Sequence, residues 1–375
     1  GTSILTGDAN TVIGYESGKA LTTGGSNISL GYQAHLALVS GDNNVAIGVN
    51  AADAMAVGES ENIAIGTSAL GGMDEGTAGG DIDGNIAIGH SALVGGDLAG
   101  NDRQVQDNIA IGRNSLNSTS DNAQTGTIAI GKDALTALTS GAGNTAIGYL
   151  AMATSTVNHS NVAIGYAAMR YSNGNESQNV AIGYEAGTSM DNNDSSKSIL
   201  IGYRAGKGGT GEIDRCVVIG DGAMDGTGAV GAQQNIFIGN DAGGGTWTTA
   251  ASNSNVAIGA TAMADALNGA LGNTALGHDT LKALTSGDYN TTLGRGAGTS
   301  ITTTSYTVAI GNYSLSAITS TGDYTISIGH GAMGGAEIGD GNIAIGYQSM
   351  ANANASGFHR NIAIGYQTMA NVGSN

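Results

Sequence analysis

NTAIGYLAM (Asn144–Met152), NVAIGYAAM (Asn161–Met169) and NVAIGYEAG (Asn179–Gly187) follow one another at intervals of 17 and 18 residues. Aligned on the glycine of AIG, the same unit occurs twenty times between Gly14 and Gly365, at spacings of 17 to 23 residues. It fills the chain from end to end, which points to a single continuous repeat domain over residues 1–375 rather than separate domains and linkers.

Each column of the unit has a physical reading. The residue before the glycine is Ile or Leu in all twenty copies, and the residue three before it is Val, Ile or Thr. Alternating β-branched residues over so short a run predict a strand with one buried face. On that reading Val45, Ile47, Ile63, Ile65, Val162, Ile164, Val180 and Ile182 form the coil core. The alanines between them (Ala46, Ala64, Ala163, Ala344) then point away from the core, toward a neighbouring chain. Four residues before the glycine stands Asn in fifteen copies, and Asn44, Asn62, Asn85, Asn108, Asn144, Asn161 and Asn179 are expected to form a hydrogen-bonded ladder. Three after the glycine stands only Ala, Ser or Thr, a column closed to bulk. Seventeen residues are too few for a propeller blade of roughly 40 residues but enough for one coil of a solenoid. The expected fold is therefore all-β: a parallel β-solenoid of about twenty coils, stacked at about 4.8 Å into a rod on the order of 90–100 Å long. The small columns suggest close packing against symmetric copies, hence an obligate homotrimer, intertwined or side by side.

Composition narrows the function. The 375 residues include 65 Gly, no Pro, one Trp and two Phe, and the net charge is −18. That charge repels phosphate backbones and anionic membranes, so neither nucleic acid nor membrane insertion is expected. The single cysteine, Cys216, excludes an intrachain disulfide and a thiolate zinc site, and it occupies the Asn position of its repeat. The six histidines (His35, His90, His159, His278, His330, His359) lack ligand spacing with one another. Asp81, Asp83 and Asn85 in DIDGN echo the start of a calcium loop but lack its downstream Glu, and DNND (191–194) and GGTGEID (208–214) are weaker still. No nucleophile elbow or phosphate loop stands out, so no cofactor and no catalysis are expected.

At NVAIG, NIAIG and NTAIG the sequence resembles two related groups: the YadA-like heads of trimeric autotransporter adhesins, and the shafts of viral and phage tail fibres. ALTALTSGAGNTAIGY (134–149), LKALTSGDYNTTLG (281–294), IGYQSM and IGYQTM are more similar to the fibre version. The resemblance implies a left-handed β-roll, a homotrimer, a virion-surface, extracellular or cell-surface location, and attachment to a host-cell receptor such as a glycan. The chain shows no heptad stalk, membrane-anchor barrel or chaperone domain of the kind such proteins carry. An adhesin head, a self-assembling extracellular filament and a surface-polysaccharide depolymerase are the alternatives.

Two features are candidate receptor contacts. The residue after the glycine is Tyr in eight copies, and Tyr149, Tyr166, Tyr184 and Tyr203 fall in successive coils. The long insertions at 70–85 and 93–108 and the loop at 243–254, which carries Trp247, are expected on the surface, with Trp247 exposed for contact, capping a coil or packed at a subunit boundary.

Overall fold

The computed structural model describes residues 6–73, 81–96, 104–119, 124–190, 195–317, 322–335, 339–353 and 358–371. The chain divides into two compact units, residues 1–185 and 186–375. Each is a parallel β-solenoid, and the described residues contain no helix.

In the first unit the strands are β1 (Thr11–Ile13), β2 (Ile28–Leu30), β3 (Val45–Ile47), β4 (Ile63–Ile65), β5 (Ile86–Ile88), β6 (Val105–Gln106), β7 (Ile109–Ile111), β8 (Gln124–Thr125), β9 (Ile128–Ile130), β10 (Thr145–Ile147), β11 (Val162–Ile164) and β12 (Val180–Ile182). The second unit holds β13 (Ile199–Ile201), β14 (Ile213–Asp214), β15 (Val217–Ile219), β16 (Ala232–Gln233), β17 (Ile236–Ile238), β18 (Val256–Ile258), β19 (Thr274–Leu276), β20 (Thr291–Leu293), β21 (Val308–Ile310), β22 (Ile326–Ile328), β23 (Ile343–Ile345) and β24 (Ile362–Ile364). Every three-residue strand is the segment just before the repeat's glycine, most often with a central Ala and a final Ile. Within each unit these strands pair in parallel and in exact repeat register: Ala146 lies opposite Ala163, and Ala163 opposite Ala181. Two minor parallel pairs, β6 with β8 and β14 with β16, add a second rung beside the main strands.

The strands stop after three residues because the glycine turns the chain. Gly48 has φ 138°, and a Cβ there would stand 2.6 Å from the carbonyl oxygen of Gly66 in the next coil. Only glycine fits both the angle and the approach. Beyond it the backbone alternates through left-handed positions such as Ala167 (φ 52°) and Met169 (φ 48°). Such conformations are costly for residues with a Cβ. Bonds between coils hold them: the Ala167 N–H donates to the Tyr149 carbonyl at 2.9 Å, and the Met152 N–H donates to the Ala168 carbonyl at 3.0 Å. The backbone ladder thus continues past the strand into the turn.

Burial reverses the expected sidedness of the strand. Ala46, Ala64, Ala163 and Ala344 are fully buried inside their own coil, whereas Val45, Ile47, Ile63, Ile65, Val162, Ile164, Val180 and Ile182 face outward and are only half-buried. The reason is volume. A coil this narrow must also enclose the small residue three after the glycine (Ala151, Ala168), the Leu or Met four after it (Leu135, Met152) and, in many coils, another Leu or Met seven after it (Leu21, Leu38, Met55, Leu138). Two β-branched columns would overfill it. Both small columns are therefore occupied from within the chain, and their smallness needs no neighbouring subunit.

The same volume rule explains the exceptions. Where Leu200 replaces the central alanine, the facing position is Gly206, whose Cβ would meet Leu200 Cδ2 at 2.6 Å. Where Phe237 replaces it, the facing residue is Gly243, whose Cβ would stand 2.6 Å from the ring. Trp247 fills the space beside this enlarged core. It is fully buried, edge-on to Phe237 with centroids 6.1 Å apart, and its indole N–H donates to the Gly244 carbonyl at 3.3 Å. The expectation of an exposed Trp247 is thus corrected: a widened core needed an aromatic plug, and the polar residues around it in sequence masked that need.

Candidate functional site

The buried asparagine column is a ladder in both units. Each amide oxygen accepts the backbone N–H of the matching residue one coil on, as in Asn62 N–H to Asn44 Oδ1 (2.9 Å), Asn108 N–H to Asn85 Oδ1 (3.1 Å) and Asn179 N–H to Asn161 Oδ1 (2.9 Å). Each amide nitrogen donates to a carbonyl of the next coil: Asn44 to Glu59 (2.7 Å), Asn144 to Asn158 (2.7 Å), Asn161 to Glu176 (2.8 Å). Asn is suited to the site because it offers an acceptor and donors on one short arm. Cys216 does the same work in its coil, donating its thiol to the Ala232 carbonyl at 3.2 Å and lying fully buried. Burial pushes that thiol up to about 11, so it is protonated at neutral pH and can donate.

A second polar ladder, two residues upstream and nearer to solvent, escaped the sequence reading. Asp42 Oδ1 accepts from Gly25 N–H (2.6 Å), Ser60 Oγ from Asp42 N–H (3.1 Å) and Asp83 Oδ1 from Ser60 N–H (2.6 Å). The series recurs in the second unit at Asp288, Ser305 and Asp323. Its mixed identities hid it: Asp, Ser, Asn and His all supply an acceptor, so only the function repeats.

This ladder accounts for one calcium candidate. Asp83 is committed to the Ser60 amide, and partial burial raises its carboxyl above the usual range. Asp81 accepts from Gln106 Nε2 at 3.3 Å, and Asn85 is buried within the asparagine ladder. Among the described residues no group of three His, Cys, Asp or Glu side chains could hold a metal ion. DNND (191–194) lies outside the described residues, as do 74–80 and 97–103 of the two insertions.

The tyrosines following the glycine are exposed and form ladders. Tyr149 and Tyr166 have centroids 5.5 Å apart at 32°, and Tyr166 and Tyr184 are stacked at 4.9 Å and 7°. Tyr203, in the second unit, has the Arg204 guanidinium 5.1 Å from its ring centre. A further aromatic series, Tyr289, Tyr306 and Tyr324, stacks at 5.4 and 5.2 Å in the column five before the glycine. At such spacings the faces of inner rings are covered by their neighbours. A sugar or another flat ligand therefore reaches mainly the edges of an inner ring such as Tyr166.

The outward side of the strands is apolar. It presents two columns of Val, Ile, Leu and Thr per unit, with no charged residue in either column. Ile28 is 41% exposed and Leu293 is 44% exposed, and Leu30, Ile199 and Leu276 are exposed as well. No described helix is long and apolar enough to cross a membrane. Compared with known proteins, the chain matches no family model and no curated sequence.

Proposed function

We propose that the chain is a non-enzymatic structural shaft, a homotrimeric tail-fibre-like protein of the virion surface that mediates host attachment. The observation that supports this reading is the uncharged outward strand face of each unit. Contiguous apolar surface of this regularity marks an interaction face. A second and third copy of the chain offer the same flat face with the same coil spacing, so apolar columns meet apolar columns without register conflict. The trimer contact is therefore the Val/Ile/Leu face, not the alanine columns. The backbone is bonded from coil to coil, as a rigid extension requires. A bacterial adhesin head uses the same assembly and is the second reading.

Light scattering on the undenatured protein tests the assembly. Three times the chain mass of 36.8 kDa, constant with concentration, is the expected result. Ile164→Asp with Ile182→Asp places charges on the outward face and is expected to give a folded monomer. A wild-type monomer overturns the proposal, and a mass that climbs with concentration replaces it with a filament.

A further inference from the structure

We propose that a groove in the second unit binds a neutral oligosaccharide, one ring of which stacks on Tyr313. The inference deepens the attachment reading above and rests on it. The groove has a volume of about 480 Å³, within the usual range for a small-ligand site. Its floor is opened by Gly331, Gly334 and Gly335, and its walls carry Tyr313 and the amides of Gln348, Gln367, Asn352 and Asn371.

One column supplies the key geometry. The second residue after the glycine is Gly296, Tyr313, Gly331, Gln348 and Gln367 in five successive coils. Tyr313 leans toward the preceding coil, where a Cβ on Gly296 would stand 2.8 Å from its Cδ1, and the Arg295 guanidinium lies 5.8 Å from its ring centre. A Cβ built at Gly331 has one neighbour within 4 Å, Gln348 Cγ at 3.5 Å, and none from Tyr313. The side chain that would cover the other face of Tyr313 is thus missing. From Tyr313 to Gln348 is two coil steps, roughly 9–10 Å. That gap admits one puckered ring in van der Waals contact, about 3.5–4 Å, on each side. Unlike Tyr166 between Tyr149 and Tyr184, Tyr313 has a ring face to offer.

The polar groups fit hydroxyls. Gln367 Nε2 donates to Gln348 Oε1 at 2.9 Å, which leaves Gln348 Nε2 as a donor and Gln367 Oε1 as an acceptor without a protein partner among the described residues. Asn352 Nδ2 donates to Asn371 Oδ1 at 3.0 Å and leaves a matching pair, Asn352 Oδ1 and Asn371 Nδ2. A hydroxyl both donates and accepts, so it uses such mixed pairs. No charged residue lines the groove, and the chain's charge of −18 disfavours acidic sugars.

The test is saturation-transfer NMR on the full chain with maltopentaose, cellopentaose and chitopentaose at about 1 mM, enough to populate a millimolar site. Transfer to at least one of the three is expected. Gly331→Gln should weaken it about tenfold or more. That variant is expected to fold, because Gln33, Gln348 and Gln367 occupy the same column at φ 54°, 49° and 52°. Tyr313→Ala should have a similar effect, whereas Tyr166→Ala should leave binding unchanged. No transfer to any probe, or transfer unaffected by Gly331→Gln, overturns the groove assignment. The mass measurement decides the fibre reading separately, since a trimer that binds none of the probes sinks the groove alone.

Discussion

The inner and outer polar ladders perform the same task with different tolerance. In both, most coils offer a side-chain acceptor to a backbone N–H of an adjacent coil, though in the inner column the hydroxyls of Thr127 and Thr325 are buried without a partner. The inner column is almost all Asn, and its exceptions are Thr, Ser and Cys, each small and each able to hydrogen-bond. The outer column accepts Asp, Ser, Thr, Asn, Gln and His, and is interrupted by Gly25, Ala142 and Leu271. Water explains the difference. A backbone group left unpaired in the outer ladder is hydrated, whereas one left unpaired in the inner ladder is stranded in a dry core.

Four measurements sharpen or break this contrast. The largest effect is expected at Asn161. Asn161→Ala removes the acceptor of the buried Asn179 N–H and a donor to the buried Glu176 carbonyl, and should cost about 3 kcal/mol or more in chemical denaturation. A loss below about 1 kcal/mol would mean that water enters the inner column.

Acid should act next, through His35. This ring is buried, shares a hydrogen bond of 2.8 Å between Nδ1 and Ser29 Oγ, and is lowered by burial to about 4. The unfolded ring titrates near 6.5. Between those values the unfolded chain binds the extra proton, so stability is fully present above about 6.5 and falls as pH drops toward about 4. The loss approaches about 3 kcal/mol at the acid end. His35→Leu, which places in that column the residue found at Leu70 and Leu135, should flatten this dependence in denaturation midpoints measured across pH. An unchanged acid slope would assign it elsewhere.

The outer ladder should respond weakly. Asp42→Ala leaves the Gly25 N–H to water and should cost about 0.5 kcal/mol or less in the same denaturation assay. A loss as large as that of Asn161→Ala would end the distinction between the ladders. Smallest of all is Cys216→Asn, expected to change stability by no more than about 0.5 kcal/mol, because the thiol already fills both hydrogen-bonding roles of the amide. Thiol labelling offers an independent check: native Cys216 should resist modification and react on unfolding.

The repeat period, the parallel register and the asparagine ladder were legible in the sequence. All three follow from identical residues returning at a fixed interval, since stacking like on like is the only arrangement that satisfies every copy at once. The inward face of the strand was not legible. Val162, Ala163 and Ile164 alternate equally well with either side buried, and residue hydrophobicity favours the wrong one. What decides it is the interior volume left after Ala168 and Met169 have turned inward, a quantity set only when the coil closes. Trp247 and Phe237 show the same dependence. Phe237 takes the space vacated by Gly243, which faces it only in the folded coil, and Trp247 packs edge-on to Phe237. The uncovered face of Tyr313 likewise depends on Gly331 one coil away. Periodicity therefore determined what stacks on what, whereas packing inside a narrow coil decided what faces in, what faces out and where a surface stays open.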